Sequence, residues 1–462
     1  MARQDVKERH GTKDISLPTG CRWMPELRMQ WRKHNKGMYK DGHERADVQL
    51  HLHAKYLPKW YAYEPRMRHW DFETGEESVP YGPWPRDYEA PPRPRPVVAW
   101  FHDESTFAQH DRRQSQWVHE DASPLPLPKG EGASTMVADF VSADYGWLRG
   151  KSEGDATRLL LKVGKNRDGY FQNENVLEHV HKAMDILKRD YPEEDHLFIF
   201  DNAPTHTKRA PGELSALKMP KGIPKAGTNW GVEVPMRDDE GGIVHAANGK
   251  PRKTKIRMRD AKFADGTAQP LYFPEGHPRA GIFKGMAVIL EERGFAFAHD
   301  LRAQCGKNFK CLNLLAGTQG VPACCCRRLL YNQPDFAGVR SLLENECEAR
   351  GFDTLFLPKF HPELNPIEQC WGRAKLKYRV NPPTPTEAEV EGNVIAALDS
   401  VTLSLIRKYC VRSQRFTDAY HKGLSTEIAV WAGKKYHGHR VVPNTVLNMF
   451  DEAHGIVAAT KK

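Results

Sequence analysis

The chain has 462 residues, 39% of them hydrophobic, with 11 Trp and 19 Phe. It is long enough for two or three domains with a sizeable core, and this composition excludes a disordered chain. Lys and Arg number 68 against 59 acidic residues, so the net charge of +9 suits a polyanionic partner, although many soluble proteins are as basic. The absence of a long apolar run or an apolar signal core predicts a soluble, intracellular protein without a membrane span.

Residues 1–96 are predicted to form a short helical region followed by a linker. One stripe of apolar side chains recurs at a spacing of four: Val48, Leu52, Tyr56 and Trp60. This spacing predicts one or two amphipathic helices. Seven prolines follow between positions 80 and 96, and because proline neither continues a helix nor pairs in a central strand, we expect an extended linker there.

Residues 97–206 show the order of strands and helix that is typical of an α/β fold. Three short apolar runs predict a meander of strands: 97–101, 116–118 and 135–141. Residues 173–190 carry apolar side chains on one helical face, and the run at 197–200 predicts a buried strand. This order predicts a mixed sheet flanked by helices.

The regular pattern is interrupted between residues 207 and 350. This stretch contains a basic run from Lys250 to Lys262, with seven Lys or Arg and one Asp, and then a cysteine-rich region. A strand is predicted at 354–357, and the sequence from Pro366 onward is largely helical. The chain is therefore divided into five predicted segments: 1–96, 97–206, 207–350, 351–380 and 381–462. We expect the helical last segment to pack on the core or to mediate dimerisation.

Three acidic motifs lie far apart in the sequence. They are HDES at 102–105, DNAPTH at 201–206 and NPIEQCW at 365–371. Each places a carboxylate at the end of an apolar run or at the start of a helix: Asp103, Asp201 and Glu368. Carboxylates placed this way can converge on divalent metal ions, and a metal pair is what phosphodiester chemistry uses.

Each of these carboxylates also has a purely structural explanation. Asp103 fits a solvated turn after a strand, and Asp201 fits the first position of an Asx turn. Glu368 is the third residue of a predicted helix that begins with Asn365 as N-cap and Pro366, which makes it a good capping-box residue. Viewed alone, Glu368 is better explained by capping than by metal binding.

The longer strings around the motifs resemble the catalytic blocks of mariner-like DDE transposases. AWFHDESTF at 99–107, followed by Arg112, Arg113 and Trp117, looks like the first block, and FDNAPTH at 200–206 looks like the second. FLPKFHPELNPIEQCWGRAK at 356–375 resembles the third. Three further strings extend the resemblance to a fungal-type branch of the family: GKNRDGYF at 164–171, FPEGHPRAGIFKGMAVILEERG at 273–294 and CCCRRLLYNQPDF at 324–336.

The resemblance implies a ribonuclease H-like catalytic core in which Asp103, Asp201 and Glu368 hold two Mg²⁺ or Mn²⁺ ions. It implies an endonuclease and transposase that cuts double-stranded DNA at transposon ends and joins it to a target, in the nucleus of a eukaryote. One alternative is a catalytically silent, host-adopted DNA-binding protein that retains the fold. Another is a ribonuclease H-type hydrolase of RNA–DNA hybrids. The presence of all three carboxylates favours an enzyme.

The chain departs from the family in its spacing and in its N-terminal region. Asp201 and Glu368 are 167 positions apart, where compact members leave a few dozen, so an insertion domain is implied. The basic run in this insertion suits contacts to DNA backbone, a solvated loop or a nuclear-import signal. Mariner-like transposases carry paired helix-turn-helix modules before the core, and residues 1–96 show too few helical patterns for them, as in a truncated or decayed copy.

Five of the nine cysteines are crowded between positions 305 and 326. Four of them are predicted ligands of a structural zinc ion: Cys305, Cys311, Cys324 and Cys326. Buried free thiols are the alternative explanation.

Several residues beside the acidic motifs are weaker candidates. Glu104 is expected to point to the opposite face of its strand from Asp103 and to have a structural role. His206 either orients a carboxylate or a phosphate, or is simply buried. Four basic residues after Trp371 face either DNA or solvent: Arg373, Lys375, Lys377 and Arg379.

Overall fold

The computed structural model describes most of the chain after residue 41. The described residues are 18–19, 22–23, 42–78, 95–111, 130–164, 167–240, 242–246, 248, 250–306, 309, 311, 315, 317–318, 322–381 and 386–454. The chain separates into two units, Met1–Asp41 and Gly42–Lys462, and all the strands and the helices from Ala46 onward belong to the second. Among the described residues, no helix is both long and apolar enough to cross a membrane.

The secondary structure follows an α/β order and ends in a run of helices. The strands are β1 (Val97–Ala108), β2 (Ser134–Ser142), β3 (Gly146–Trp147), β4 (Leu159–Lys162), β5 (Asp195–Phe200), β6 (Val232–Pro235), β7 (Lys253–Ile256), β8 (Ala261–Lys262), β9 (Ala268–Gln269) and β10 (Asp353–Phe356). Helix α1 comprises Ala46–His51, a π-helical turn Leu52–Tyr56 and Leu57–Tyr63. The other helices are α2 (Asn173–Asp190), α3 (Met286–Glu292), α4 (Cys326–Tyr331), α5 (Pro334–Ala337), α6 (Leu342–Ala349), α7 (Pro366–Tyr378), α8 (Glu387–Asp399), α9 (Leu403–His421), α10 (Thr426–Lys435) and α11 (Val446–His454).

A six-stranded mixed sheet forms the centre of the unit. The strand order is β10-β5-β1-β2-β3, and β4 also pairs with β2. Strands β1 and β2 are antiparallel, whereas β5 is parallel to β1 and β10 is parallel to β5. An antiparallel start, followed by two parallel strands added on the other side of β1, is the topology of a ribonuclease H-like fold. The predicted fold class, α/β with a mixed sheet flanked by helices, is therefore confirmed.

Side chains of β1 alternate between the two faces of the sheet, as in any strand. Val98 and Trp100 join an apolar core with side chains of α2 and α6 on one face. Phe101 lies on the other face, where its ring centroid is 6.3 Å from that of Trp60 in α1. Helices α7 and α9 pack on this second face as well. The same alternation places Asp103 on the second face and Glu104 on the first.

Most of the predicted elements are present, with one clear error in the length of a strand. The helix at 173–190, the strand ending at Phe200 and the buried stripe of α1 are confirmed. The predicted strand at 116–118 and the proline-rich stretch at 80–94 lie outside the described residues. The prediction that β1 ends near Asp103 is wrong, because the strand continues to Ala108 and pairs with β2 along its second half.

Residues between β5 and α6 build a second hydrophobic cluster of their own. It is formed by buried side chains such as Leu271, Phe283, Ile289 and Leu329. Strands β6 and β7 form one two-stranded sheet here, and β8 and β9 form another. The long spacing between the second and third acidic motifs is thus occupied by folded structure. The five-segment division of the chain stays a prediction.

Candidate active site

Asp103 lies within β1, where it is paired in register with Asp139 of β2. Its side chain is 9% exposed and accepts a hydrogen bond of 3.1 Å from the indole Nε1 of Trp371 in α7. The carboxylate therefore points away from bulk solvent and towards the helix that carries the third acidic motif. Asp103 is not a solvated turn residue, so that alternative is wrong.

Asp201 follows directly after β5 and begins a turn. Its Oδ1 accepts a 3.1 Å hydrogen bond from the backbone N–H of Ala203, which is the Asx geometry expected from the sequence. The same oxygen accepts a hydrogen bond from Nδ1 of His206. Nε2 of this fully buried ring lies 3.2 Å from Oε1 of Glu104. His206 thus links two carboxylates from different strands.

The charge on His206 follows from these two contacts. Burial opposes a charged ring, but the hydrogen bonds to Asp201 and Glu104 outweigh it and raise the pKa of His206 to about 10. Burial also opposes the charge on Asp201, yet the imidazolium of His206 holds the pKa of that carboxyl below its usual value. Asp201 is therefore kept ionised and oriented, and His206 is a positioning residue rather than merely a buried one.

Glu368 is in the first turn of α7, and it does not cap that helix. Asn365 is the N-cap, but its side chain makes no capping hydrogen bond. Its Nδ2 instead donates to the backbone oxygen of His102 at 3.4 Å, which ties the start of α7 to β1. A capping glutamate would accept from the backbone N–H of Asn365, but that N–H donates to the carbonyl oxygen of Pro362 at 3.0 Å. The capping-box explanation for Glu368 is therefore wrong, and Glu368 lines a pocket instead.

The three carboxylates line one pocket of about 280 Å³. The lining residues are Asp103, Asp201, Asn202, Ala203, Leu357, Pro358, Lys359, Phe360, His361, Pro362, Asn365 and Glu368. Asp103 comes from the central strand, Asp201 from the carboxyl end of the neighbouring parallel strand, and Glu368 from the helix above them. Residues that are far apart in sequence are thus brought to one cleft.

The electrostatics of this pocket favour a bound cation. Burial raises the pKa of Asp103 well above its ordinary value, and repulsion from Glu368, Glu104 and Asp201 raises it further. Burial also raises the pKa of Glu368, an effect that Lys375 opposes and Asp201 reinforces. A cluster of carboxylates that repel one another in this way gains stability from a hard divalent cation, whose preferred ligands are oxygens. The donor set therefore fits Mg²⁺ or Mn²⁺.

The three carboxylates are spread more widely than the tightest groups of described His, Cys, Asp and Glu side chains. Asp103, Asp201 and Glu368 do not form one of the groups of described residues whose ligand atoms all lie within 4.8 Å of one another.

A buried hydrogen-bond network stabilises the turn before α7. Oε1 of Glu363 lies 2.8 Å from Nδ1 of His361 and accepts a 2.7 Å hydrogen bond from the hydroxyl of Tyr420. Phe360, in the same pocket wall, has a left-handed backbone with φ of 64°. Strained backbone of this kind persists only where the surrounding packing enforces it, and it is concentrated at functional sites.

Sequence reasoning missed the supporting residues of the pocket. Trp371 and Asn365 were visible in the third motif, but their partners, Asp103 and the carbonyl of His102, are more than 260 positions away. Lys359 was also overlooked as a cation in the pocket wall. A lysine between Pro358 and an aromatic residue gives no local sequence signal that it will line a pocket.

The basic residues after Trp371 do not gather at the pocket. Arg373 and Lys377 are exposed, whereas Arg379 forms a 2.8 Å ion pair with Asp111. The Nζ of Lys375 lies 5.6 Å from the centroid of the Phe107 ring. Only Lys375 is close enough to influence the pKa of Glu368.

Three of the four predicted zinc ligands lie together in the structure. Cys305, Cys311 and Cys324 are joined by Cys325, and their four sulfur atoms all lie within 4.8 Å of one another. Cys326 is turned away, with its Sγ 3.1 Å from the carbonyl oxygen of Ala298. The neighbouring cysteine therefore takes the fourth position. Periodicity in sequence could not separate these two, because Cys325 is the N-cap and Cys326 the first residue of the same helix.

Comparisons with known proteins find similarity only among solved structures. No family model and no curated protein matches the chain. A Mos1 mariner paired-end complex with Mn is 12% identical, with a TM-score of 0.28, over 45% of this chain and 53% of that one. A pre-cleavage Mos1 transpososome is 13% identical, with a TM-score of 0.27, over the same shares. The chain thus spans about half the length of these structures, and with TM-scores this low the likeness identifies neither a function nor a family.

Proposed function

We propose that this protein is a metal-dependent DNA endonuclease of the DDE transposase type. The observation that carries the proposal is that Asp103, Asp201 and Glu368, from three distant motifs, line one pocket. The ribonuclease H-like strand order supports it, because it brings the ends of β5 and the middle of β1 to the same cleft. Membership of a fungal-type branch stays a prediction.

In this proposal the three carboxylates hold two Mg²⁺ or Mn²⁺ ions. Such a pair activates the attacking oxygen and stabilises the leaving oxygen of an in-line phosphodiester displacement, which serves both hydrolysis and strand transfer. The chain's own side chains fix the geometry. The indole of Trp371 orients Asp103, and His206 orients Asp201 while neutralising Glu104.

Several basic residues suit a nucleic acid backbone beside this pocket. A larger cleft of about 810 Å³ adjoins it through Asn202 and Lys359, and its walls carry further cations: Lys55, Lys59, Lys208, Arg209 and Arg340. The run from Lys250 to Lys262 is mostly exposed. We take double-stranded DNA as the substrate and the nucleus as the site of action, and we leave homodimer formation as an expectation.

Nicking of supercoiled plasmid by the purified protein, with Mg²⁺ or Mn²⁺, tests the proposal. Glu368→Gln keeps the size of the side chain but removes its charge, so the nicking rate should fall by at least about 100-fold, since even the loss of outer partners of metal ligands costs about 10–100-fold. Glu178→Gln, an exposed carboxylate on α2, is the matched control and should nick as the wild type does.

The alternatives give different results in the same assay. Duplex binding without nicking in any variant, at every metal tested, would support the catalytically silent DNA-binding protein and contradict the enzyme. Preferential cleavage of an RNA–DNA hybrid over duplex DNA in direct competition would support a ribonuclease H-type hydrolase instead.

A further inference from the structure

A cluster of four thiols lies outside the proposed active site, beside the start of α4. Sγ of Cys305 is 3.8 Å from Sγ of Cys324, which is in turn 3.8 Å from Sγ of Cys325. The Sγ of Cys311 completes a group in which all atoms lie within 4.8 Å of one another. Cys311 and Cys325 are buried, and the other two are partly buried.

These separations match one tetrahedral ion. Thiolate sulfurs bound at about 2.3 Å from Zn²⁺ lie about 3.8 Å apart at the corners of a tetrahedron. A disulfide requires about 2 Å between sulfurs, so the two measured pairs are not bonded to each other. A sulfur-only tetrahedral site selects zinc or iron, and this close a spacing leaves room for a single ion rather than a cluster.

The surroundings of the thiols carry positive charge and hydrogen-bond donors. The backbone N–H of Arg328 donates to Sγ of Cys325 at 3.4 Å. The guanidinium of Arg328, whose residue is 6% exposed, also lies beside the thiol of Cys311. Among the described residues, no carboxylate forms an ion pair with Arg328, and its Nε has no hydrogen-bond partner. A buried cation without a carboxylate is costly, and thiolates supply the missing negative charge.

The backbone leading into the cluster is strained. Phe309 has φ of 60°, and its carbonyl oxygen accepts hydrogen bonds from the N–H of Cys311 and from Arg328. The Arg328 guanidinium carbon lies 3.9 Å from the centroid of the Phe309 ring. A left-handed phenylalanine is strained and requires a local constraint. A metal bond at Cys311 would provide one.

We propose that Cys305, Cys311, Cys324 and Cys325 bind one structural zinc ion, which fastens the turns at Cys305 and Cys311 to the start of α4. Arg328 acts as the neighbouring cation that offsets the negative charge of four thiolates. The zinc site would stand whether or not the protein cleaves DNA.

Metal analysis of the purified full-length protein tests this assignment. The wild type should contain about one zinc per chain, as expected for a closed four-thiolate site, and a mercurial reagent should release that zinc stoichiometrically. Cys325→Ser should lower the zinc content by at least about fivefold. Cys326→Ser is the matched control, because the adjacent thiol contacts the carbonyl of Ala298 instead, and it should retain the metal.

A second measurement covers the case in which Cys325→Ser does not fold. Cobalt substituted into the wild type should give the intense sulfur-to-cobalt absorption and the visible bands of a tetrahedral four-thiolate site. Four freely reactive thiols without metal, or disulfides among these cysteines, would overturn the proposal. Loss of zinc in Cys326→Ser with retention in Cys325→Ser would overturn the ligand set.

Discussion

His206 shows how a single residue organises the candidate site. Its fully buried ring is held as a cation between Asp201 and Glu104. His206→Gln keeps a hydrogen-bond donor but removes the charge. We expect the affinity for Mn²⁺, measured by titration calorimetry, to fall by about 10–100-fold, the usual effect of losing a partner of a metal-binding carboxylate.

The control for this change is His181→Gln. That ring lies on the outer side of α2, 3.2 Å from Glu346, and its side chain is 43% exposed. Its replacement should leave Mn²⁺ binding unchanged. Equal affinities for the wild type and His206→Gln would show that His206 only fills space.

The buried ring of His179 leads us to expect that the protein loses stability in mild acid. The ring is buried against His102 and lies 2.9 Å from the carbonyl oxygen of Thr157. Burial is the largest effect and lowers the pKa of His179 to about 4. The charge of Asp139 and the contact to Thr157 act in the opposite direction, and the charge of Lys182 lowers the pKa slightly further. The unfolded chain takes up the proton near pH 6.5, so the free energy of unfolding should fall by up to about 3 kcal/mol between pH 6.5 and 4.

His179→Gln isolates this contribution from the other buried histidines. The variant retains a donor for the carbonyl of Thr157 but no longer binds a proton in this range. Urea unfolding at several pH values should therefore give a flatter pH dependence for the variant than for the wild type. Parallel curves between pH 6.5 and 4 would contradict a neutral His179.

The helices on either side of β10 begin in different ways. Helix α6 has a full capping box, in which Ser341 Oγ accepts from the N–H of Glu344 and the Glu344 carboxylate accepts from the N–H of Ser341. Helix α7 has none, although its sequence fits the same pattern. A glutamate at the third helical position thus caps one helix and faces a pocket at the other.

We therefore expect a loss of stability when the cap of α6 is removed, and none when the charge of Glu368 in α7 is removed. Ser341→Ala should lower the free energy of unfolding by about 1 kcal/mol, because the variant has no cap at this helix. Glu368→Gln in metal-free protein should not destabilise, since burial and Asp201 already disfavour its charge. Thermal melts in the presence of chelator measure both variants, and a clear drop in the melting temperature of Glu368→Gln would show that the charged carboxylate stabilises the metal-free protein.

The elements that sequence predicted well are those with a long, regular pattern. Helix α2 spans the predicted residues because its apolar face repeats over 18 residues. Strands β3 and β4 were missed because two to four residues carry too little periodicity. Strand β1 was predicted too short because its second half, from His102 onward, is polar. That half persists because β2 supplies its backbone partners.

At the scale of the whole molecule, the net charge of +9 and the exposed strand β7 predict salt-sensitive binding to DNA. The slope of log affinity against log salt concentration reports how many phosphates the protein neutralises. Neutralising Lys253, Lys255 and Arg257 together should make this slope shallower by about 3, which is about one for each lost phosphate contact. Fluorescence anisotropy with a labelled duplex at several salt concentrations measures this slope.

The control variant neutralises three exposed lysines on helices α2 and α10: Lys182, Lys188 and Lys434. Its slope should match that of the wild type. If both triple variants behave alike, the basic run is a solvated surface, and the DNA contacts lie elsewhere on the protein.

The sequence alone determined the fold class, most of the long elements and the identity of the three carboxylates, because apolar periodicity and the unusual strings around each motif are local properties. The tertiary structure decided which competing explanation holds for each residue. The start of α7 is tied to β1 through Asn365, Asp103 is buried because Trp371 closes over it, and Cys325 rather than Cys326 meets the other thiols. Each of these outcomes depends on a partner that lies far away in the chain, and no local pattern encodes such a partner.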